Sequence, residues 1–224
     1  MRKMSIPGSR ELYLTRASVA FDYVLSFEYP WQALSGIGAA ILSIGAELDL
    51  ARYDRVGDNV WIAKSARVAQ SALISGPCII DEDAEVRHCA FVRGSAIVGK
   101  RAVVGNSTEL KNCILFDGVQ VPHYNYVGDS ILGYKSHMGA GAITSNVKSD
   151  KTPVIIKGGE VQIATGLKKC GAFLGDFVEV GCGSVLNPGT VIGARSSVYP
   201  LSSVRGVIAS DSIYKHSGEV VERK

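Results

Sequence analysis

Three side chains stand out because their types and spacing suit anion binding and proton transfer. Arg93 and Lys111 are 18 residues apart, and in a chain that coils with that period they would lie on one corner in adjacent coils. Two neighbouring cations can bind two oxygens of one phosphate group, so the pair predicts an anion site. His123 follows between Pro122 and Tyr124, and a histidine that titrates near neutral pH suits proton transfer.

Both features also have a simpler interpretation. Arg93 and Lys111 could be a solvated pair of like charges, although stacked cations repel one another. A single histidine is more often a surface or structural residue than a catalytic base. However, Pro122 is expected at an inner position and the repeat described below ends immediately after His123, which favours a functional role at this point.

The elements that position these residues repeat every six residues. A small residue follows four positions after each of the first eight apolar residues of the series, and the pattern resumes at 132–144 and at 174–204. A period of six fits neither a helix nor an ordinary strand, whereas a short strand plus a corner has this length, and three such units close one triangular coil. The first apolar series is Ile62, Val68, Ile74, Ile80, Val86, Val92, Val98, Val104, Leu110 and Phe116.

The repeat predicts an all-β solenoid, a parallel β-helix of hexapeptide repeats. An ordinary β-sandwich is the alternative, but it would need period-two alternation and irregular turn spacing. We expect an N-terminal helical segment at 1–58, a β-helix at 59–210 with a loop insertion at about 145–170, and a C-terminal extension at 211–224. Helix-like spacing covers 10–26 and 32–44, with Pro30 as a stop signal. Hairpins are expected at 154–163, turning at Gly158–Gly159, and at 213–221, turning at Ser217–Gly218.

Composition excludes several classes of function. The chain has 224 residues, 46% hydrophobic and 20% charged, with a net charge of +3, which indicates a globular protein. No Lys/Arg-rich face indicates nucleic-acid binding, and no apolar stretch is long enough for a membrane span. The apolar stretch 37–44 is too late and too short for a signal peptide. Five cysteines without metal-ligand spacing predict reduced thiols, no metal site and a cytoplasmic location.

Three segments resemble a known family. Residues 104–112, 122–129 and 138–146 look like the acetyltransferase domain of the bifunctional N-acetylglucosamine-1-phosphate uridylyltransferase/glucosamine-1-phosphate N-acetyltransferase and of related sugar-1-phosphate nucleotidylyltransferases. The resemblance implies a left-handed β-helix, a homotrimer, and acetyl-CoA bound in a groove between neighbouring helices. It also implies an N-acetyltransferase that acts on an amino-sugar 1-phosphate similar to glucosamine 1-phosphate.

The same resemblance assigns roles to individual residues. His123 matches the general base, and Arg93 and Lys111 match the ligands of the sugar phosphate. The other substrate ligands implied are Tyr126, Asn146 and a loop lysine, of which Lys151 is nearest, with Lys148 as the alternative. The contacts implied for acetyl-CoA are Ala140, Cys182 and Lys215.

Two positions depart from the family pattern, and one domain is missing. His137 stands where the family has Asn, and Val147 stands where it has an aromatic residue; both positions are expected near the sugar or the acetyl group. They imply a different acceptor or reduced activity. Residues 1–58 are too short for a nucleotide-binding uridylyltransferase domain. The alternatives are therefore an acyltransferase for another sugar or sugar nucleotide and a non-catalytic trimeric scaffold. A covalent role for Cys182 is disfavoured because no base is paired with it.

Overall fold

The computed structural model of the protein describes residues 5–215 and 218–223. The helices are α1 (Ser9–Leu12), α2 (Phe21–Leu25), a 3-10 helix (Pro30–Gly36) and α3 (Ile37–Glu47). The strands are β1 (Tyr53–Arg55), β2 (Val60–Ala63), β3 (Arg67–Val68), β4 (Leu73–Ile74), β5 (Cys78–Ile80), β6 (Glu85–Val86), β7 (Phe91–Val92), β8 (Ala96–Val98), β9 (Val103–Asn106), β10 (Glu109–Leu115), β11 (Gln120–His123), β12 (Tyr126–Leu132), β13 (His137–Met138), β14 (Ile143–Thr144), β15 (Ile155–Gly158), β16 (Val161–Ala164), β17 (Ala172–Leu174), β18 (Glu179–Val180), β19 (Val185–Leu186), β20 (Thr190–Ile192), β21 (Ser197–Val198), β22 (Ser203–Val204), β23 (Val207–Ile208), β24 (Ser212–Tyr214) and β25 (Val220–Glu222).

Parallel strands stack on three faces of a triangular solenoid. The first face contains β2, β5, β8, residues 113–115 of β10, residues 130–132 of β12, β17, β20 and β23. The second face contains β3, β6, β9, β11, β13, β18, β21 and β24. The third face contains β4, β7, residues 109–111 of β10, residues 126–128 of β12, β14, β19 and β22. The predicted all-β solenoid, a parallel β-helix of hexapeptide repeats, is confirmed.

The six-residue repeat fills the inside of the solenoid as predicted. Val86, Val92, Val98 and Val104 are buried, and so are the small residues that follow four positions after each inner residue from Ile80 onward. Many of the corners turn through a residue with positive φ, for example Cys89 at 57°. That conformation lets a coil change direction within two residues.

One change of register separates the N-terminal coils from those around His123. Val92 pairs with Leu110 across 18 residues, whereas Leu110 pairs with Val127 across only 17. The corner after Lys111 is one residue shorter than the corner after Arg93, because Cys113 pairs with Ala96. Val121 therefore pairs with Val104 and takes the inner position that the sequence had suggested for Pro122. That expectation was wrong by one residue.

The first face is covered by the chain itself. Outward-facing apolar residues there form an unbroken paired ladder, and each member from Ile79 onward is fully buried. The helix α3 packs over β5, β8 and β10. Further along, the Trp31 ring lies 5.9 Å from that of Phe173. The ladder consists of Trp61, Ile79, Ile97, Ile114, Ile131, Phe173 and Val191.

The N-terminal helices differ from the sequence prediction. The helix expected over 10–26 is two short helices, because the backbone N–H groups of Leu14 and Thr15 donate to the Asp176 carboxylate at 3.0 and 2.7 Å and hold the chain against the solenoid. Pro30 begins the 3-10 helix and does not end one. Proline is tolerated there because the first N–H of a helix has no internal partner.

Both predicted hairpins have antiparallel strands. The strands β15 and β16 pair through Gly158 and Val161, so the turn is Gly159–Glu160 and the expected Gly158–Gly159 turn was one residue early. Gly158 instead contacts the core: a Cβ there would lie 2.8 Å from Cγ1 of Ile6. The strands β24 and β25 also pair. The expected turn residue Ser217 lies outside the described residues.

The structure also shows the state of the five cysteines and the lengths of the helices. Cys78, Cys89, Cys113, Cys170 and Cys182 are all free thiols. No helix within the described ranges combines the length and apolarity needed to cross a bilayer.

We predict that the covered ladder contributes strongly to stability. Ile97→Ala should lower the free energy of unfolding by about 2 to 5 kcal/mol, because it leaves a cavity beneath α3. Leu73→Ala is the control, since Leu73 is 60% exposed on the third face. It should change stability by less than about 0.5 kcal/mol. Urea unfolding followed by circular dichroism measures both, and equal losses would show that α3 does not bury the first face.

Candidate active site

The candidate base lies at the corner between the second and third faces. His123 ends β11, pairs with Asn106 of the preceding coil, and is exposed. Its carbonyl accepts a 3.0 Å hydrogen bond from the N–H of Gly141 in the following coil. The backbone on both sides is therefore fixed, while the imidazole faces solvent and can reach a ligand.

Asn125 holds this corner in shape from inside. It is almost fully buried, and its side-chain amide donates to the carbonyls of Gly139 and Ala142 at 2.8 and 2.9 Å. Its Oδ1 accepts the N–H of His123 at 3.1 Å. A buried amide with all these partners fixes the backbone that carries His123.

The two predicted phosphate ligands lie together on the third face, but each already has a carboxylate partner. Arg93 Nη1 donates to Glu109 Oε1 at 2.8 Å. Lys111 Nζ lies 3.1 Å from each oxygen of Asp129. Adjacent coils do place the cations side by side, since the Arg93 N–H donates to the carbonyl of Leu110. The repulsion expected between bare stacked cations is therefore absent.

The two ion pairs differ in burial. The side chains of Arg93 and Glu109 are 48% and 33% exposed, whereas those of Lys111 and Asp129 are 25% and 5% exposed. Solvent screens the first pair, so an incoming anion can compete with Glu109 for the guanidinium. The second pair is largely shielded from solvent, and Lys111 is held in place.

Asp129 connects the substrate ligands that the sequence predicted. Its carboxylate accepts hydrogen bonds from Lys111 of the preceding coil and from Asn112 and Asn146, the last two at 2.9 and 2.5 Å. Asn146 also donates to the Tyr126 hydroxyl at 3.1 Å. One buried carboxylate thus fixes groups from three coils.

The Tyr126 hydroxyl keeps its proton at neutral pH. Burial raises the pKa of Tyr126, Asn146 opposes that shift through its hydrogen bond, and the carboxylates of Asp129 and Glu109 raise the pKa further. Because the hydroxyl oxygen already accepts from Asn146, its own proton is free to be donated to a ligand.

Small residues continue the His123 corner towards the C-terminus. Ala140 follows in the next coil, and its carbonyl accepts the N–H of Gly183 at 2.8 Å. The carbonyl of Cys182 accepts the N–H of Leu201 at 2.9 Å. Ala140 and Cys182 are both exposed, although the carbonyl of each is bonded to the next coil. Lys215 follows β24 at the C-terminal end of the second face and pairs with Glu219 at 3.2 Å.

Three further residues that the resemblance placed near the substrate take no part in the hydrogen bonds described above. His137 lies on the second face, where its Nδ1 is 2.8 Å from Glu179 Oε2. Lys151 is exposed in the inserted loop, and Val147 is 41% exposed and bridges to Lys169. His137 is three residues before Ala140, a distance of about 10 Å along a strand.

Glu109 and Asp129 were missed by the sequence analysis, although both lie inside its quoted motifs. The spacing holds a signal for their position, since Glu109 follows Arg93 by 16 residues and Asp129 follows Lys111 by 18. These offsets place a carboxylate one coil beyond each cation. Within residues 5–215 and 218–223, no three His, Cys, Asp or Glu side chains are grouped so that they could hold a metal ion.

Comparisons with known proteins agree with the motifs. Residues 74–174 match the family model of the GMPPB C-terminal domain. The bifunctional protein GlmU of Methanococcus maripaludis strain C5 is 37% identical over 122 residues, covering 53% of this chain and 29% of the relative. A bifunctional sugar-1-phosphate nucleotidylyltransferase/acetyltransferase of Sulfurisphaera tokodaii is 32% identical over 109 residues, covering 49% of this chain and 27% of the relative.

A solved structure also aligns with the chain. The acetyltransferase domain of PglB from Neisseria gonorrhoeae in complex with acetyl coenzyme A aligns with a TM-score of 0.38 and 16% identity, covering 79% of this chain and 60% of that one. The sequence relatives confirm the predicted resemblance to sugar-1-phosphate nucleotidylyltransferase/acetyltransferases. The chain spans less than a third of the length of the two sequence relatives.

We predict that Asp129 is required for stability and Glu109 is not. Asp129→Ala leaves the partly buried Lys111 ammonium and two side-chain amides without their acceptor, and should lower the free energy of unfolding by about 3 kcal/mol. Glu109→Ala is the matched control, since it breaks an ion pair that solvent already screens. Its unfolding midpoint should stay close to that of the unaltered chain. Similar destabilisation by both substitutions would contradict the difference in burial.

Proposed function

We propose that this chain is a CoA-dependent N-acetyltransferase that acts on an amino-sugar 1-phosphate. One observation carries the proposal: the coils bring His123 to a corner beside the third face, which holds Arg93, Lys111, Tyr126 and Asn146. In this proposal the corner supplies a proton acceptor, and the third face beside it supplies a phosphate site and sugar-binding groups. The names of the sequence relatives support the same chemistry.

The proposed reaction is a direct acyl transfer. The sugar amine attacks the thioester carbonyl carbon of acetyl-CoA, a C–N bond forms, and the C–S bond breaks. His123 takes the proton that the amine loses, and this proton returns to the departing CoA sulfur. A positioned base of this kind contributes about 10² to 10⁴-fold to a rate. Holding the two substrates together and directing backbone N–H groups at the developing oxyanion supply the rest.

The third face suits the acceptor. Lys111 is fixed by Asp129, whereas Arg93 can exchange Glu109 for a phosphate oxygen. Tyr126 has a free proton to donate, and Asn146 is held beside it. A sugar phosphate bound to these groups would place its amine towards His123, at the start of the corner that leads to Tyr126 in β12.

The small residues of the corner suit acetyl-CoA. Ala140 and Cys182 are exposed and have short side chains, and the glycines beside them allow close stacking of the coils. A Cβ on Gly139 would lie 2.8 Å from the Cys182 nitrogen. In this proposal the thioester lies at His123 and the rest of the cofactor follows the corner towards Lys215. A cytoplasmic location remains a prediction from the free thiols.

A homotrimer would explain why His137 lies away from the other predicted ligands. The first face is covered by the N-terminal segment, so packing between copies is left to the second and third faces. A second copy could then present His137 to the site formed by its neighbour. In this arrangement acetyl-CoA would lie between two solenoids.

The departures at His137 and Val147 favour one alternative, which is acetyl transfer to another amino sugar or to a nucleotide-linked amino sugar. The experiment that tests both is acetyl-CoA consumption with a panel of hexosamine 1-phosphates and UDP-linked amino sugars. Release of CoA with a hexosamine 1-phosphate supports the first proposal, and release with the UDP-linked compounds alone supports the alternative. No release with any acceptor would favour a non-catalytic scaffold.

We predict that His123→Ala lowers kcat by about 100-fold or more without loss of stability. His123 is exposed at a corner, so its removal leaves no cavity in the core. The loss should become smaller as pH rises, because more of the amine substrate is then already deprotonated. His88→Ala is the matched control, since His88 is exposed at the same corner two coils away. Near-normal turnover of His123→Ala at neutral pH would move the base elsewhere, with His137 as the first candidate.

We also predict that Arg93→Ala and Lys111→Ala affect the two substrates unequally. Each should raise the KM of the acceptor by about tenfold or more, since each removes a charge-assisted contact to phosphate. The KM of acetyl-CoA should stay within about twofold, because the cofactor is assigned to another part of the corner. Steady-state kinetics with each substrate varied in turn measures this, and equal losses for both substrates would reject the assignment.

The proposed trimer is tested by light scattering of the full chain. We expect the mass of three chains, because two uncovered flat faces allow closed threefold packing. A monomer with full acetyltransferase activity would contradict a site shared between copies.

A further inference from the structure

The corner between the first and second faces carries a second group of charged and aromatic side chains. Successive coils turn there through a residue with positive φ, a conformation that is stacked from coil to coil by backbone hydrogen bonds. Nothing in the proposed acetyl transfer uses this corner. Its turning residues are, in order, Asp83, Arg101, Gly118, Lys135, Phe177, Arg195 and Asp211.

Gly118 leaves a gap between two cations on this corner. Arg101 stands one coil before it and Lys135 one coil after it, so their backbones are about 10 Å apart. The Lys135 stem lies across the gap, with its Cγ 3.0 Å from the point that a Cβ of Gly118 would occupy. An anion seated over Gly118 would have a cation on each side and would contact the Lys135 stem.

Neither cation is in an ion pair within the described residues. Burial raises the pKa of Asp117, and the charge of Arg101 opposes that rise. The Lys135 Nζ lies 5.2 Å from the centroid of the Tyr134 ring. Within the described part of the chain, neither Arg101 nor Lys135 has a carboxylate oxygen within 4.0 Å. Arg195 on the same corner shows the opposite arrangement, because its Nε and Nη2 bind both oxygens of Asp211 at 2.6 and 2.7 Å. Position on the corner therefore does not explain why Arg101 and Lys135 are unpaired.

The gap opens into a groove of about 510 Å³ on the second face. Gln120 and His137 lie in it next to the cations, and Glu179 is engaged by His137. Phe177 forms a wall at the far end, with its side chain 42% exposed. Its ring is held edge-on by that of Tyr134, with centroids 5.3 Å apart.

This combination selects a particular ligand chemistry. The unpaired cations favour phosphate, and the only carboxylate lining the groove within the described residues, Glu179, is already bound to His137. A fixed, exposed aromatic ring at the end of a groove favours stacking of a planar ring. We propose that this groove binds a nucleotide, with its phosphate over Gly118 between Arg101 and Lys135 and its base against Phe177.

The proposed site can be tested separately from acetyl transfer, although it shares His137 with the arrangement proposed for the trimer. It lies at a different corner from His123 and uses none of the residues that were assigned to the acceptor phosphate. Two sources could supply a nucleotide of this kind. One is the 3′-phosphorylated adenosine part of a CoA molecule, and the other is a nucleotide-linked sugar.

The test is isothermal titration of the full chain, in its own oligomeric state, with adenosine 3′,5′-bisphosphate and with UDP. We expect Arg101→Ala and Lys135→Ala each to lower the affinity for at least one of these nucleotides by about tenfold. Arg195→Ala is the matched control, because it removes a cation from the same corner whose charge is already paired, and it should bind as the unaltered chain does. The nucleotide that binds more tightly and loses more affinity identifies the source.

A second variant separates stacking from charge. Phe177→Leu keeps an apolar side chain but removes the ring. It should therefore lower the affinity for the nucleotide and leave the affinity for inorganic phosphate unchanged. The proposal is overturned if neither nucleotide binds, if Arg195→Ala weakens binding as much as Arg101→Ala, or if only Lys111→Ala on the third face removes binding. His123→Ala should retain nucleotide binding in the groove, so a failure of the proposed acetyl transfer would leave this result intact.

Discussion

Each corner of the solenoid has to fit a buried side chain inside while the backbone turns sharply outside. Most of these inner positions hold a small residue, and Ala84, Ala90 and Thr108 there are buried. Once this constraint is met, every coil places its outward residues directly above those of the previous coil. Residues far apart in sequence thereby become neighbours at a spacing of about 4.8 Å. The candidate active site is a consequence of that stacking.

The site also depends on the place where the stacking changes. The corner at Asn112 is one residue shorter than the corner before it, and Asn112 turns with a φ of 49°. Asn112 donates both to Asp129 at 2.9 Å and to the carbonyl of Leu34 at 3.2 Å. The shortened corner therefore joins the carboxylate that organises the substrate ligands to the segment that covers the first face.

Because the N-terminal segment covers the first face, the faces of the solenoid differ in what they can offer to a ligand. One face is sealed by the N-terminal helices, and the opposite edge carries His123, Ala140 and Cys182. The third face adds compensated cations, whereas the Arg101 corner carries uncompensated ones. Ligand chemistry is thus expected only on the two faces and the corners that the chain leaves open.

The inner residues could be predicted from the sequence because few structures repeat with a strict period of six. Sequence reasoning could not predict that Ile97 and Phe173 are buried, since an outward-facing side chain is buried only where another segment of the chain covers it. The spacing did hold a signal, because Ile79, Ile97 and Ile114 recur in register on one face.

The partners of the two cations were missed for a related reason. Spacing gives the order of residues along a corner, but it does not state which side chains meet. Arg93 and Lys111 were correctly placed in adjacent coils, yet their neutralisation by Glu109 and Asp129 depends on side-chain reach. The inner position expected for Pro122 was wrong because one corner is a residue shorter, and no local sequence preference reveals such a change of register.

The central claim is that one corner of the solenoid brings a thioester and an amine together. A crystal structure of the chain with CoA and inorganic phosphate would test it most directly. We expect the CoA thiol beside His123, the pantetheine arm along Ala140 and Cys182, and the phosphate between Arg93 and Lys111. CoA bound elsewhere on the solenoid, with its thiol remote from His123, would contradict the account.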